Sequence, residues 1–526
     1  MQKIIRILVK TIYFGFWFNQ NKKTMRNRTQ LLFFVFLLIG GGRVLAQNVL
    51  EYTVNFTDQA NDLFKVELKV KGLKKSNAIY QFAATAPGTY QVMDMGRFVR
   101  KFEAFDAKGK KIATKQISTN QWQLSAPEKV ATIRYHIAET FDTPVKENKI
   151  YEMCGSSIED DHVLINGQTV FGYPTGMQDA PLKIKIEYPS EWTFGTALEV
   201  QDGFFLANNY DHIVDSPILL GKLSKASTKI RNTSVELYTY SKTGKITSER
   251  LLSSMTNMLV AADAFLNGLP VPRYTFLFFF EDVNAGAWEH SYSSEYIIKE
   301  EEWSDDFGKK MTDIAAHEFF HIVTPLNIHS EIIEKFNFVQ PTPSEHLWLY
   351  EGTTEWASHK MQLNYSIKTL DEYFKELRQK VIVDERFYDK DYSLSKISLT
   401  SYTPEGQKQY GNIYMRGALV AGLLDIRLLE LSKGQKGLRE VINEFAKEYG
   451  AKKSFPEKEW FDIFVKKTYP EVGDFINRYI KNAEPLPLEE YYAKIGITFD
   501  KSKKTFTINP QANAEQVKMR ERWLRN

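Results

Sequence analysis

Two histidines four residues apart, with a glutamate directly after the first, occupy His317-Glu318-Phe319-Phe320-His321. With about 3.6 residues per helical turn, positions i and i+4 project from one face of a helix, so both imidazoles can hold a single metal ion. H-E-x-x-H on a helix is the spacing of hydrolytic zinc sites, where the glutamate stands beside the ion as a general base on water and not as a ligand. The flanks permit a helix here: Asp313-Ile314-Ala315-Ala316 leads in without a breaker, and Pro325 closes the segment. The whole chain of 526 residues holds only 9 histidines, so this arrangement seldom arises by chance.

A catalytic zinc takes three protein ligands and keeps one position open, so a third ligand is expected. The best candidate is Glu351, in the apolar, helix-compatible stretch Trp348-Leu349-Tyr350-Glu351-Gly352-Thr353-Thr354-Glu355-Trp356. His329 is the only histidine soon after His321, and its spacing fits poorly. Glu355, one turn beyond Glu351, and Asp313, one turn before His317, have two readings. Each can orient a ligating histidine through its other ring nitrogen, or be a solvated carboxylate on a helix face.

Three further segments accompany these residues: Gly286-Ala287-Trp288-Glu289-His290, Tyr414-Met415-Arg416-Gly417 and Ala86-Pro87-Gly88-Thr89-Tyr90. With H-E-F-F-H and W-L-Y-E-G-T-T they make the chain resemble the glycyl aminopeptidase family of zinc metallopeptidases, glutamate-zincins with a thermolysin-like catalytic domain. The resemblance implies that Glu351 is the third zinc ligand and that Glu289 lies at the substrate's amino end. It also implies that Tyr414 faces the tetrahedral intermediate, with Tyr410 as the rival. Ala86 to Tyr90 is similar to the family's P-G-x-Y segment, so the resemblance spans most of the mature chain. Two departures stand out. The family often carries Trp-Asn after the second histidine, where this chain reads Ile322-Val323-Thr324, and the segment from about Ile495 to Asn526 is too short for the PDZ domain that ends many members.

The elements that must position these residues change character along the chain. From 48 to about 235, runs such as Leu63 to Val70, Ala131 to Ile137 and Leu182 to Tyr188 alternate apolar and polar at period two, which predicts a β-rich, sandwich-like domain. From Ser248 the period lengthens: Leu251, Leu252, Met255, Met258, Leu259 and Ala262 mark one helical face. Arg273 to Phe280 then reads as an apolar strand, with residues 286 to 290 as an edge or loop beside the cleft, where an extended peptide can add as a strand. Helical patterns dominate after Asp306, including Leu419 to Leu431 and Trp460 to Lys467. The expected class is α+β multidomain, a β-sandwich-like N-terminal domain followed by a mainly helical zinc metallopeptidase domain. The segments are 1–46, extension and signal peptide; 47–235, β-rich; 236–490, catalytic; and 491–526, a short tail.

Composition narrows the function. With 68 basic against 65 acidic residues and a net charge of +3, nothing favours nucleic acid. The single cysteine, Cys154, excludes an intramolecular disulfide and a thiolate zinc site. At the N-terminus, Arg26, Arg28, the apolar run Leu31 to Ile39 and Val44-Leu45-Ala46 form an export signal, with cleavage expected after Ala46. The run is short of the roughly twenty residues of a membrane span, although it leaves an uncleaved anchor open, and Met25 offers a start that makes residues 1–24 an upstream extension. A periplasmic or secreted location follows, with no stable membrane span after cleavage.

The expected activity is hydrolysis of the N-terminal peptide bond of a peptide or protein substrate, with one zinc ion. Preference for small residues such as Gly or Ala is implied by the resemblance alone. Two rivals use the same residues differently: a zinc endopeptidase in which Glu289 reads backbone or side chain, and a non-catalytic peptide-binding protein, against which Glu318 beside a complete ligand set speaks. Oligomeric state is not legible.

Overall fold

A computed structural model describes residues 49–56, 62–282 and 286–525. The export signal, its cleavage site and the Met25 start lie outside the described residues.

The period-two segments become strands of the N-terminal region. Leu63–Lys69 buries alternate residues and pairs antiparallel with both Leu50–Asn55 and Val130–Ala138, so that Tyr52, Leu68 and Ile133 share a row. Leu182–Glu187 adds on the far side of Leu50–Asn55 in parallel, within an eight-stranded sheet. A four-stranded sheet built on Ile79–Phe82 and Gln121–Leu124 covers it. Phe82 of the smaller sheet meets Tyr135 of the larger edge-on, ring centroids 5.0 Å apart. The two apolar faces thus close on each other as a sandwich does.

The next sheet has five strands in the order Ser224–Ile230, Thr233–Ser241, Arg273–Glu281, Ser293–Lys299, Gly286–Glu289. Its three inner strands are parallel, whereas Gly286–Glu289 lies antiparallel on the edge. Burial on both faces explains why Arg273–Glu281 reads as a continuous apolar run and not an alternating one. Phe276 packs against Phe319 of the H-E-x-x-H segment on one side, and Phe279 against Phe141 and Tyr240 on the other. The division expected at residue 235 falls inside Thr233–Ser241, which pairs along its length with Arg273–Glu281; the change of sheet occurs between Ile218–Gly221 and Ser224–Ile230. Period two is the same whichever sheet a strand joins, so the pattern carries no boundary there.

Helix Ser248–Phe265 connects Thr233–Ser241 to Arg273–Glu281, helix Asp305–Phe320 follows the sheet, and the rest is mainly helical around the buried Asn412–Leu431. Residues beyond 490 fold onto this region as the hairpin Ile497–Asp500 with Thr505–Ile508, then the helix Ala514–Arg525. Phe506 packs on Phe374 and Tyr492, and Trp523 is buried. No helix of the described residues is long and apolar enough to cross a membrane.

Candidate active site

Helix Asp305–Phe320 is started by Ser304, whose side chain accepts from the Phe307 N–H at 3.0 Å, and it carries Asp305 and Asp306 in its first turn, where the helix dipole favours negative charge. Its last turn presents His317, and His321 caps it while still helical at φ −63°, ψ −15°. Glu351 comes from a π-helical turn, Trp348–Gly352, that runs into the α-helix Thr353–Asn364. Single π turns recur at functional sites.

The three ligand candidates converge. His317 Nε2 and His321 Nε2 are 3.3 Å apart, and Glu351 Oε2 lies 3.5 and 3.4 Å from them. A tetrahedral ion with bonds of about 2.0–2.1 Å needs ligand atoms separated by about 3.3–3.4 Å, so the triangle has the dimensions of one face of a zinc site. Both histidines also turn the correct nitrogen inward: His321 Nδ1 donates to the Thr324 carbonyl at 2.9 Å and His317 Nδ1 to Glu355 Oε2 at 2.7 Å. Each Nε2 is thereby left with its lone pair toward the centre.

Electrostatics point the same way. Burial alone would lower the His321 imidazole, yet Glu289 and Glu351 outweigh it and raise it to about 9. Buried carboxylates demand positive charge at this point, which a divalent cation would supply.

Behind His317 stands a network of buried ion pairs. Glu355 is paired with Lys380 and accepts from His359 Nε2 at 3.2 Å; Lys368 Nζ lies 2.9 Å from His359 Nδ1 and 2.9 Å from Asp313 Oδ2. Burial raises the Glu355 carboxyl, but Lys380, His359 and His317 overcome this and hold it well below the usual range. Glu355 therefore orients His317, whereas Asp313 reaches it only through Lys368, His359 and Glu355. Lys380 was missed in the sequence. Its signal was a charged residue on the apolar stripe of Leu370–Phe387, whose buried positions are Tyr373, Phe374, Leu377, Lys380 and Val381.

His317, Glu318, His321, Glu351, Glu289 and Tyr414 line one cavity of about 410 Å³. Glu289 sits at the end of the edge strand, and its carboxylate, that of Glu318 and a ring nitrogen of His321 lie within 4.8 Å of one another. Burial, offset in part by His321, pushes the Glu289 carboxyl up to about 8. Tyr414 packs on His317 with ring centroids 5.6 Å apart, and its hydroxyl shares a 3.2 Å hydrogen bond with that of Tyr410. The glycines of the two motifs explain this closeness. A Cβ on Gly352 would come within 2.8 Å of Gly417 Cα, so Glu351 and Tyr414 ride on segments in backbone contact. His329 lines a second cavity, away from the triangle.

Residues 51–222 match the peptidase M61 N-terminal domain and residues 310–420 match M61 glycyl aminopeptidase. The chain belongs to the M61 glycyl aminopeptidase family. It is accordingly a peptidase, and the two segments characteristic of the family meet at the cavity: Gly88 comes from the first, and His317, His321, Glu351 and Tyr414 from the second. Glu289 lies between the two matched segments. Among solved structures, an aminopeptidase N family protein from Idiomarina loihiensis superposes with TM-score 0.74 at 22% identity, covering 85% of this chain and 78% of that one. An M1 zinc metallopeptidase from Deinococcus radiodurans, solved as a mutant bound to a Tyr-Ser-Ala substrate, superposes with TM-score 0.52 at 12% identity, covering 84% of this chain and 94% of that one. At such identities these likenesses establish the shared fold. No curated protein matches the chain.

Proposed function

We propose that this M61 member is an exported, zinc-dependent aminopeptidase that releases the N-terminal residue of peptides, with Gly or Ala preferred at that position. The observation that carries the reading is Glu289: a carboxylate at the end of an edge strand, in one cluster with Glu318 and His321. A peptide added along that edge with its ammonium on Glu289 brings its first peptide bond beside Glu318 and His321.

Held by His317, His321 and Glu351, one zinc ion would supply Lewis acidity to the scissile carbonyl and lower the pKa of a water molecule toward neutrality. Glu318 takes the proton of the attacking water as its oxygen bonds to the carbonyl carbon, and returns it to the amine as the C–N bond breaks. The Tyr414 hydroxyl donates to the carbonyl oxygen as charge develops on it. Burial, reinforced by Glu351, holds the Tyr414 phenol well above its usual range, so it is protonated and able to donate. The substrate ammonium is the opposite charge that returns the raised Glu289 carboxyl to its ionised form, and the carboxylate then accepts from it in a charge-assisted hydrogen bond.

An acetylated terminus offers Glu289 a neutral amide and strips the buried carboxylate of its partner, a penalty of roughly 1–3 kcal/mol or more. N-acetylation is therefore expected to lower hydrolysis by about tenfold to a hundredfold or more, and Glu289→Ala to lose most activity on free peptides while discrimination between free and blocked substrates shrinks. Steady-state kinetics on matched free and acetylated peptides, with and without chelator, test this. Comparable rates on both by the wild type would replace the aminopeptidase reading with the endopeptidase one.

Lys380 offers a second check on the metal reading. Removing a partner that orients a ligating histidine costs about 10- to 100-fold in metal affinity; Lys380 acts on His317 through Glu355, which keeps its contact with His359, so Lys380→Met is expected to weaken zinc binding by about tenfold, the lower end of that range. Chelator competition measures it; unchanged affinity would detach Lys380 from the site.

A further inference from the structure

The Ala86–Tyr90 segment has no part in the chemistry above, yet it forms the head of the cleft. Gly88 adopts φ +79°, and a Cβ placed on it would stand 2.6 Å from Glu289 Oε1 and 2.7 Å from Trp288 Nε1. Such separations are far inside van der Waals contact, so the loop backbone lies directly against the carboxylate. The loop is tied on both sides. The Trp288 indole N–H donates to the Pro87 carbonyl at 3.2 Å, and Gln407 Nε2 donates to the Tyr90 carbonyl at 2.6 Å. Tyr90, itself at φ +46°, packs its ring against that of Tyr410 at a 40° tilt with centroids 5.2 Å apart.

Gly88, Trp288 and Glu289 line both the catalytic cavity of about 410 Å³ and a second cavity of about 320 Å³ beyond it. The contact between loop and edge strand thus borders both cavities.

We infer that Gly88 is a positioning residue for the amine-binding carboxylate: its lack of a side chain lets Glu289 stand against the loop of the β-rich region and marks the end of the substrate's chain. This rests on Glu289 being the amine anchor. Any side chain at 88 must displace the Glu289 carboxylate or the Trp288 indole, since the loop is pinned by Pro87 and Tyr90. The loop thereby makes the β-rich region part of the specificity machinery.

The test uses the full-length enzyme. Gly88→Ala is expected to raise KM for a free-amine peptide by about 10- to 100-fold, the range for losing a hydrogen bond to a charged group, with a smaller change in kcat and a matching fall in discrimination against the acetylated peptide. Zinc content should not change. Gly109→Ala is the control for backbone strain: Gly109 has φ +78° with nothing within 4 Å of a Cβ, so it should lower the thermal midpoint similarly and leave KM unchanged. If Gly88 acts through Glu289, adding Gly88→Ala to Glu289→Ala should cost little further activity. Additive losses, or unchanged KM and discrimination in Gly88→Ala, would overturn the inference.

Should Gly88→Ala not fold, Trp288→Phe carries the test, because it removes the indole N–H that ties the strand to Pro87. It should shift KM and discrimination in the same direction, and normal values for both would overturn the inference. If Glu289→Ala itself discriminates as the wild type does, the amine-anchor role of Glu289 fails first. A silent Gly88 beside a damaged Glu289→Ala sinks the positioning role alone.

Discussion

Glu318→Gln is expected to keep the full complement of zinc and lose about a hundredfold to ten-thousandfold of turnover, the range supplied by a positioned general base. The amide matches the carboxylate in size and keeps hydrogen-bonding capacity, but it cannot take a proton from water. Glu318 is buried beside His317 and His321 without being one of the three atoms in the triangle, so the metal site should survive the change. The contrast is Glu351→Ala, which leaves two imidazoles and is expected to lose the metal itself. Metal analysis of purified variants, paired with steady-state kinetics, separates the two roles. Near-normal turnover in Glu318→Gln would remove the base assignment, and full zinc occupancy in Glu351→Ala would remove the ligand assignment.

The next largest effect concerns Tyr414. Deleting one donor to a developing oxyanion lowers kcat by about a hundredfold to a thousandfold, and because the bond is made chiefly in the transition state, KM should hardly move. Tyr414→Phe preserves the ring that packs on His317, centroids 5.6 Å apart, so the loss reports the hydroxyl and not a cavity. Tyr410 is the internal comparison. Its hydroxyl lies 3.2 Å from that of Tyr414 and its ring packs on Tyr90, so Tyr410→Phe should cost less. A deficit confined to Tyr410→Phe would transfer the role to that residue.

How much of this was legible beforehand depends on the range over which each feature is encoded. The i, i+4 placement of His317 and His321 with Glu318 beside them is a property of one helical turn, and the strands Leu63–Lys69, Val130–Ala138 and Leu182–Glu187 follow from alternation within six to nine residues. The membership of Gly286–Glu289 in a sheet edge was legible only as one of two options. The sheet to which Thr233–Ser241 belongs was not legible at all, because alternation names a face and not a neighbour.

Sequence alone therefore determined the zinc-type spacing, the carboxylate suited to act on water, the β-rich to helical order of the chain and, through its motifs, the resemblance to the family. Tertiary structure decided the rest. It turned Trp348–Gly352 into a π turn that brings Glu351 Oε2 within 3.5 Å of both imidazoles. It set Gly352 against Gly417 so that Tyr414 approaches His317, and it buried Lys380 beneath Glu355. It also laid Gly88 against Glu289, two segments about two hundred residues apart in the chain, as the Pro87 to Trp288 hydrogen bond records. Periodicity reports which side of an element faces the core. Which residues then meet across that core is set by packing between elements, where a missing Cβ or a buried lysine has meaning only once its neighbour is in place.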